Sequence, residues 1–228
     1  MTEKSLPRRA VLKRVAGMGA GVALLSAPGG LLVPAHAAAE ADRGAGRAPE
    51  PLDAHRTSRN GWALADGVGS AQGVWSRPVS GTGFTLDTRL GAVETVLVHI
   101  VRRWHYEIET LRADEVVGWR PLAELDADGP ESNQASGTAV AIRPGAYVKG
   151  ARGGLTEVQR RTVDSILRDC GDVVRWGGRD RTPYEALFYV DVPPTKGKRR
   201  PADHPVDQLA DKLRRWNRTP GVGAGAAA

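Results

Sequence analysis

The chain has one cysteine in 228 residues, and Cys170 on its own excludes an intramolecular disulfide and any cysteine-rich zinc site. Stability therefore has to come from a core. The sequence also has no glycine-rich phosphate loop, no nucleophile elbow and no Ser/His/Asp signature, which removes the common nucleotide-binding and serine-hydrolase readings. It lacks an aromatic-rich basic motif, so no nucleic-acid partner is expected. Its longest apolar stretch, Val15 to Val33, is broken by Pro28, Gly29 and Gly30 and followed by Pro34. That run falls short of the roughly 20 residues a span requires, so no stable membrane anchor is expected.

What is present divides the chain sharply. Residues 1–37 carry Arg8-Arg9, a weakly apolar Gly/Ala-rich run and the small-x-small site Ala35-His36-Ala37, the pattern of a twin-arginine export signal. Cleavage there removes five basic residues and one acidic residue and lowers the formal net charge from +6 to +2, so most of the basic character belongs to the leader. The mature protein is expected outside the cytoplasm, secreted or associated with the cell wall. Residues 38–59 are rich in Ala, Gly, Pro and charge, with too little apolar surface to offset the entropy of ordering, and read as a flexible linker.

From residue 60 onward the apolar pattern becomes periodic. Phe84, Leu86, Thr88 and Leu90 alternate behind Gly81 and Gly83, which suggests a strand or hairpin. Val93, Val96, Leu97, Ile100, Val101, Trp104, Ile108 and Leu111 share one face of a helix over 92–111. A second helix starts at Thr156, with Gln159 completing a capping box, buries Val163, Ile166, Leu167 and Cys170, and stops at Gly171. Val206, Leu209, Leu213 and Trp216 mark a third helix over 206–216. Short strand-like stretches at 138–142 and 187–192 complete an α+β domain over 60–218, followed by a small-residue tail over 219–228 that reads as disordered.

Two blocks carry chemistry by their absences. The segment from Glu131 to Ile142, Glu-Ser-Asn-Gln-Ala-Ser-Gly-Thr-Ala-Val-Ala-Ile, resembles the S-x-H-x-x-G-x-A-x-D signature of the VanY-like D-alanyl-D-alanine carboxypeptidases and phage endolysin peptidases. Val173-Val174-Arg175-Trp176-Gly177-Gly178, followed by Tyr184 to Val190, resembles that family's second block, V-R-W-G-G leading to D-x-x-H-F-E-I. The helix with Glu107 and Leu111 followed by Gly118-Trp119-Arg120 also resembles the family, so the likeness covers about residues 90 to 193. It implies a zinc DD-peptidase-like fold, with a small antiparallel sheet flanked by helices.

In that family two His and one Asp hold zinc, an open fourth position carries the water, and an acidic residue is the general base. Carried over position by position, the resemblance puts the ligands at Gln134, Ala141 and Leu187 and the base at Tyr184. All four are substituted, whereas Ser132, Gly137, Ala139, Gly177, Gly178 and Phe188 match. Ala141 and Leu187 offer no lone pair, and a leucine beside the old metal position makes it apolar. No cofactor is expected, and zinc enters only if an alternative ligand set exists. His99 and His105 lie six apart on one helix and do not share a face, while His55 and His204 stand alone, so all four read as ordinary histidines.

Glu107, Glu109, Glu185 and Asp191 could be imagined in a metal-free hydrolase, but their spacing reads as solvated faces. Ser132 and Arg120 are the expected cleft contacts, Arg120 because a guanidinium grips a carboxylate bidentately. The expectation is an exported, catalytically inactive relative that binds peptidoglycan stem peptide or a cell-envelope protein in the old cleft. The alternatives are an active carboxypeptidase or endopeptidase with unconventional ligands, and a structural cell-envelope protein. Export is testable directly: with Arg8→Lys and Arg9→Lys together, the precursor should accumulate in the cytoplasm. Mature protein outside at the normal level would refute the assignment.

Overall fold

The apolar stripe beginning at Val93 forms α1, Ala92–Glu107, in a computed structural model that describes residues 56–195 and 203–219. Val96, Leu97, Ile100, Val101 and Trp104 on this helix are completely buried. The helix stops four residues before the predicted end. Both Ile108 and Glu109 direct their amides to the Trp104 carbonyl, and the Glu109 carboxylate leaves the helix for Arg143 and the Tyr147 hydroxyl. His105 Nδ1 then accepts the Leu111 amide at 3.0 Å, so Leu111 stays buried without being helical.

Of the two expectations, strand or hairpin, the structure has the hairpin: β1, Val74–Pro78, pairs antiparallel with β2, Thr85–Arg89. A second antiparallel sheet contains β3 (Val116–Val117), β4 (Ala139–Ile142), β5 (Val174–Trp176) and β6 (Leu187–Val190), in the order β3-β4-β6-β5. Two and three residues are too few to show a period, so β3 and β5 left no signal of their own. The remaining helices are α2 (Ser132–Ala135), α3 (Glu157–Cys170) and α4 (Pro205–Arg218). The capping box of α3 is present, with Thr156 Oγ1 accepting from the Gln159 amide and Gln159 Oε1 accepting from the Thr156 amide. This is an α+β arrangement, as the pattern implied, with small antiparallel sheets flanked by helices. Trp104 joins the two layers by meeting Phe188 and Tyr147 edge-on, at centroid distances of 5.9 and 5.7 Å.

The leader, His55 and residues 220–228 lie outside the described residues. One boundary is corrected. Residues 56–59, read as the end of a flexible linker, pack onto the domain: Thr57 bridges to Ala63, and Ser58 is buried with its hydroxyl on Ser136. Linker composition misled here because the order comes from hydrogen bonds to residues more than seventy positions away, which local apolar content does not report. Among the described residues no helix is long and apolar enough to cross a membrane.

Between α1 and α3 a polar cluster is folded into the core. Arg103, nearly buried, donates to Asp169 at 2.7 Å and pairs with Glu107, while His99 Nε2 lies 3.2 Å from Asp169. Burial pushes the Asp169 carboxyl up, but the His99 hydrogen bond and the Arg103 charge outweigh it and hold the carboxyl below its usual range. A carboxyl depressed in the folded state stabilises the fold above its unfolded pKa, near 3.9, and loses that contribution as pH falls through the folded value. The urea midpoint should therefore drop between pH 5 and pH 2 on the ordinary carboxylate scale, and Asp169→Asn should flatten part of that fall. An unchanged acid limb in the variant would show that the cluster contributes nothing through Asp169.

Candidate functional site

The fold brings together the positions that the resemblance assigns to metal ligands. Val117, Ala141 and Leu187 form one row across the sheet, since Ala141 is the Cα partner of Val117 on one side and of Leu187 on the other. Directly opposed residues project to the same face of a sheet, so the Ala141 and Leu187 side chains are neighbours. Gln134 approaches from α2 and donates its amide to the carbonyls of Val117 and Gly118, at 3.1 and 2.8 Å.

Two glycines make this approach possible. Gly137 has φ +69°, and a Cβ there would stand 2.6 Å from Val74 Cγ2 and 2.8 Å from the Arg89 amide nitrogen. It turns the chain from α2 into β4 in a conformation and a space closed to other residues. Gly177 lets the loop after β5 pass under β6, where a Cβ would lie 2.7 Å from the Tyr184 carbonyl and 3.2 Å from Leu187 Cβ. Trp176 Nε1 fixes the same loop by donating to the Glu185 carbonyl at 2.7 Å.

The residues at these positions do not fit a zinc ion. Leu187 and Ala141 present carbon, both are about 1% exposed or less, and Gln134 spends its amide nitrogen on backbone carbonyls. Among the described residues no group of three or more His, Cys, Asp or Glu side chains converges as a ligand set. Tyr184, at the base position, is half-buried. Its phenol is pushed up from the usual value by burial and by the nearby Glu131 charge, against a smaller opposing pull from Arg120 and Lys149. A phenol that holds its proton more tightly than normal is a poor general base near neutral pH.

The buried row is apolar, as a leucine and an alanine dictate, but the cleft beside it is not. An open cavity of about 430 Å³ is lined by Tyr184, Glu131, Lys149, Arg59, Arg181 and other charged residues of the 126–131 and 175–182 loops. Glu131 and Lys149 were missed in the sequence. Glu131 sits directly before Ser132 in the first block, yet no local pattern distinguishes a carboxylate that will be buried from one that will be solvated. Its burial follows from α2 turning inward, with Glu131 only 5% exposed.

Ser132 is corrected from a cleft contact to a structural residue. It is fully buried, accepts from the Arg59 amide at 3.0 Å and donates to the Gly129 carbonyl at 2.8 Å. Arg120 is near enough to influence Tyr184, with its guanidinium held by Glu124 at 3.1 Å. The acidic residues weighed for a metal-free hydrolase are dispersed. Glu107 pairs with Arg103, Glu109 with Arg143, and Asp191 lies 3.4 Å from Arg175. Glu185 departs from the expected solvated face: it is buried, and its two oxygens accept the amides of Gly153 and Gly154 at 2.9 and 2.8 Å. Its role is to hold the loop that leads into α3.

No protein-family model, curated protein or solved structure matches the chain. The likeness to the peptidases therefore rests on the two sequence blocks.

Gln134 offers a direct check of the site's present role. Gln134→Ala leaves two carbonyls without that donor, and should cost about 1–3 kcal/mol of stability in urea unfolding. Gln134→Glu, which faces carbonyl oxygens with a carboxylate, should cost at least as much. A loss below about 0.5 kcal/mol in both, the range of an indifferent surface change, would show that the amide is not structural.

Proposed function

We propose that this chain is an exported, non-catalytic relative of the zinc D-alanyl-D-alanine carboxypeptidases, which binds cell-wall peptide in the cleft beside Tyr184. The observation that carries this reading is the row Val117–Ala141–Leu187 with Gln134 bonded beneath it. Residues 46 positions apart, aligned independently through two separate blocks, become paired neighbours on adjacent strands. A chance likeness in a turn gives no reason for that pairing. What occupies the positions is alanine, leucine and a structurally committed glutamine, so the arrangement supports retention of the scaffold with loss of the metal.

The cleft supports a binding role because its charged lining survives next to the filled metal position. Peptide stems carry amide and carboxylate groups that such a lining can recognise. A purely structural protein has no need of a cleft with buried charge, which costs stability unless it is satisfied.

The test has two arms. Mature protein should be retained saturably by purified peptidoglycan and release no peptide from it. The variant Gln134→His, Ala141→Asp, Leu187→His, Tyr184→Asp should be less stable than the parent as apoprotein and regain stability on adding zinc, because three ligands now meet in one place. Peptide release by the unaltered protein would overturn the non-catalytic reading. A folded variant that binds no zinc would overturn the family likeness.

A further inference from the structure

The stretch from Leu125 to Asp128 separates two cavities. Leu125 and Ala127 line an apolar groove of about 470 Å³, whereas Asp126 and Asp128 line the charged cleft beside Tyr184. Alternate residues of one short loop thus form a wall shared by groove and cleft. Whatever fills the groove steadies Asp126, whose carboxylate holds Lys149 Nζ at 3.0 Å on the cleft side. The other apolar walls of the groove come from Leu64, Trp119, Pro121, Leu122 and Ala135. Open apolar surface of this kind gains by being covered and marks a docking site.

The chain carries its own cover. Arg56, the first described residue, is itself part of the groove lining. Thr57 bridges antiparallel to Ala63, and the Leu64 amide donates to the Arg56 carbonyl at 3.2 Å. At Arg56 the backbone therefore runs antiparallel to 63–64, and its N-terminal direction is toward Ala65 and Asp66, two more lining residues. Among residues 38–55 the sequence has one large apolar side chain, Leu52. It stands four positions before Arg56, a reach of at most about 14 Å. Pro49 and Pro51 narrow the conformations open to the chain around it, which lowers the entropy lost on docking. So short a tether gives Leu52 an effective concentration in the millimolar range, ahead of a second copy or a free ligand at micromolar levels.

We propose that residues 49–55 pack into this groove, with Leu52 against Trp119 and Leu122, and brace the wall that carries Asp126 into the cleft. The effect on peptide binding rests on reading the cleft as a binding site, whereas the docking does not. The leader is joined to the domain through this segment, so the residues that follow the export signal become part of the support of the cleft.

Disulfide trapping in the chain from Ala38 onward tests the docking. Leu52→Cys with Ala123→Cys, an exposed lining position, should oxidise to a link within one chain, and Cys170 is buried away from the reaction. Leu52→Cys with Val158→Cys, exposed on α3 outside the groove, should oxidise about tenfold more slowly or not at all. Leu52→Asp should speed amide exchange of residues 122–127 by about tenfold or more and weaken retention on peptidoglycan several-fold, while Leu52→Met should keep both near the parent. The docking is overturned if the two cysteine pairs oxidise at equal rates, if the link joins two chains, or if exchange in Leu52→Asp is that of the parent. A trapped link with unchanged retention in Leu52→Asp overturns the effect on the cleft. A parent with no peptidoglycan retention overturns the peptide-binding function and leaves the docking standing on the link and the exchange.

Discussion

The pairing of β4 with β6 is the constraint on which the remainder of the structure depends. Ala139, Val140 and Ala141 face Tyr189, Phe188 and Leu187 in antiparallel register, and every residue of both strands is buried. Strands covered on both faces cannot slip by one residue without driving their side chains into the wrong layer. β3 and β5 attach to the two edges of this pair, and Trp104 of α1 seats on Phe188. The segment ahead of the domain is tied to the same pair, because the Asn60 side chain donates to the Val190 carbonyl and to Thr138 Oγ1, both at 2.8 Å. Through these links a strand pair of four residues each governs the helix layer, the small strands and the entry of the chain.

That constraint also fixes the backbone around Ala141 and Leu187 independently of what their side chains can do. The backbone turns at Gly137 and Gly177 are set by close approach and not by any side chain that performs catalysis. Leucine and alanine on these buried strands need no polar partner, which apolar surroundings favour. Gln134 shows the same logic in polar form, since its amide is absorbed by two backbone carbonyls. The charged cleft lies outside the row, with Glu131, Lys149 and Tyr184 among its lining groups.

Cys170 and His99 illustrate how little residue type alone says about function. The Cys170 thiol is pushed up to about 12, first by burial and then by the Asp169 charge, which makes it packing and not a nucleophile. His99 is a hydrogen-bond neighbour of Asp169 within a helix interface, its Nε2 3.2 Å from the carboxylate. The helical period predicted the burial of Cys170 but not that of His99, and neither residue lines the cleft.

The amino-acid pattern determined α1, α3 and α4 and the strands β2, β4 and β6, because each is long enough, or apolar enough, to carry its own period or caps. It also determined that Ala141 and Leu187 cannot hold a metal, which is a property of the side chains and needs no coordinates. Tertiary structure alone decided that these two residues are partners, that residues 56–59 are ordered, that Ser132 is structural and that Glu131 is buried with one oxygen unmet. It also decided β3 and β5, which exist as strands only because β4 and β6 offer them edges. The physical reason is the same in each case. A period or a cap is written in neighbours along the chain, whereas burial, strand partnership and an unpaired hydrogen-bonding group depend on which distant residues arrive beside them.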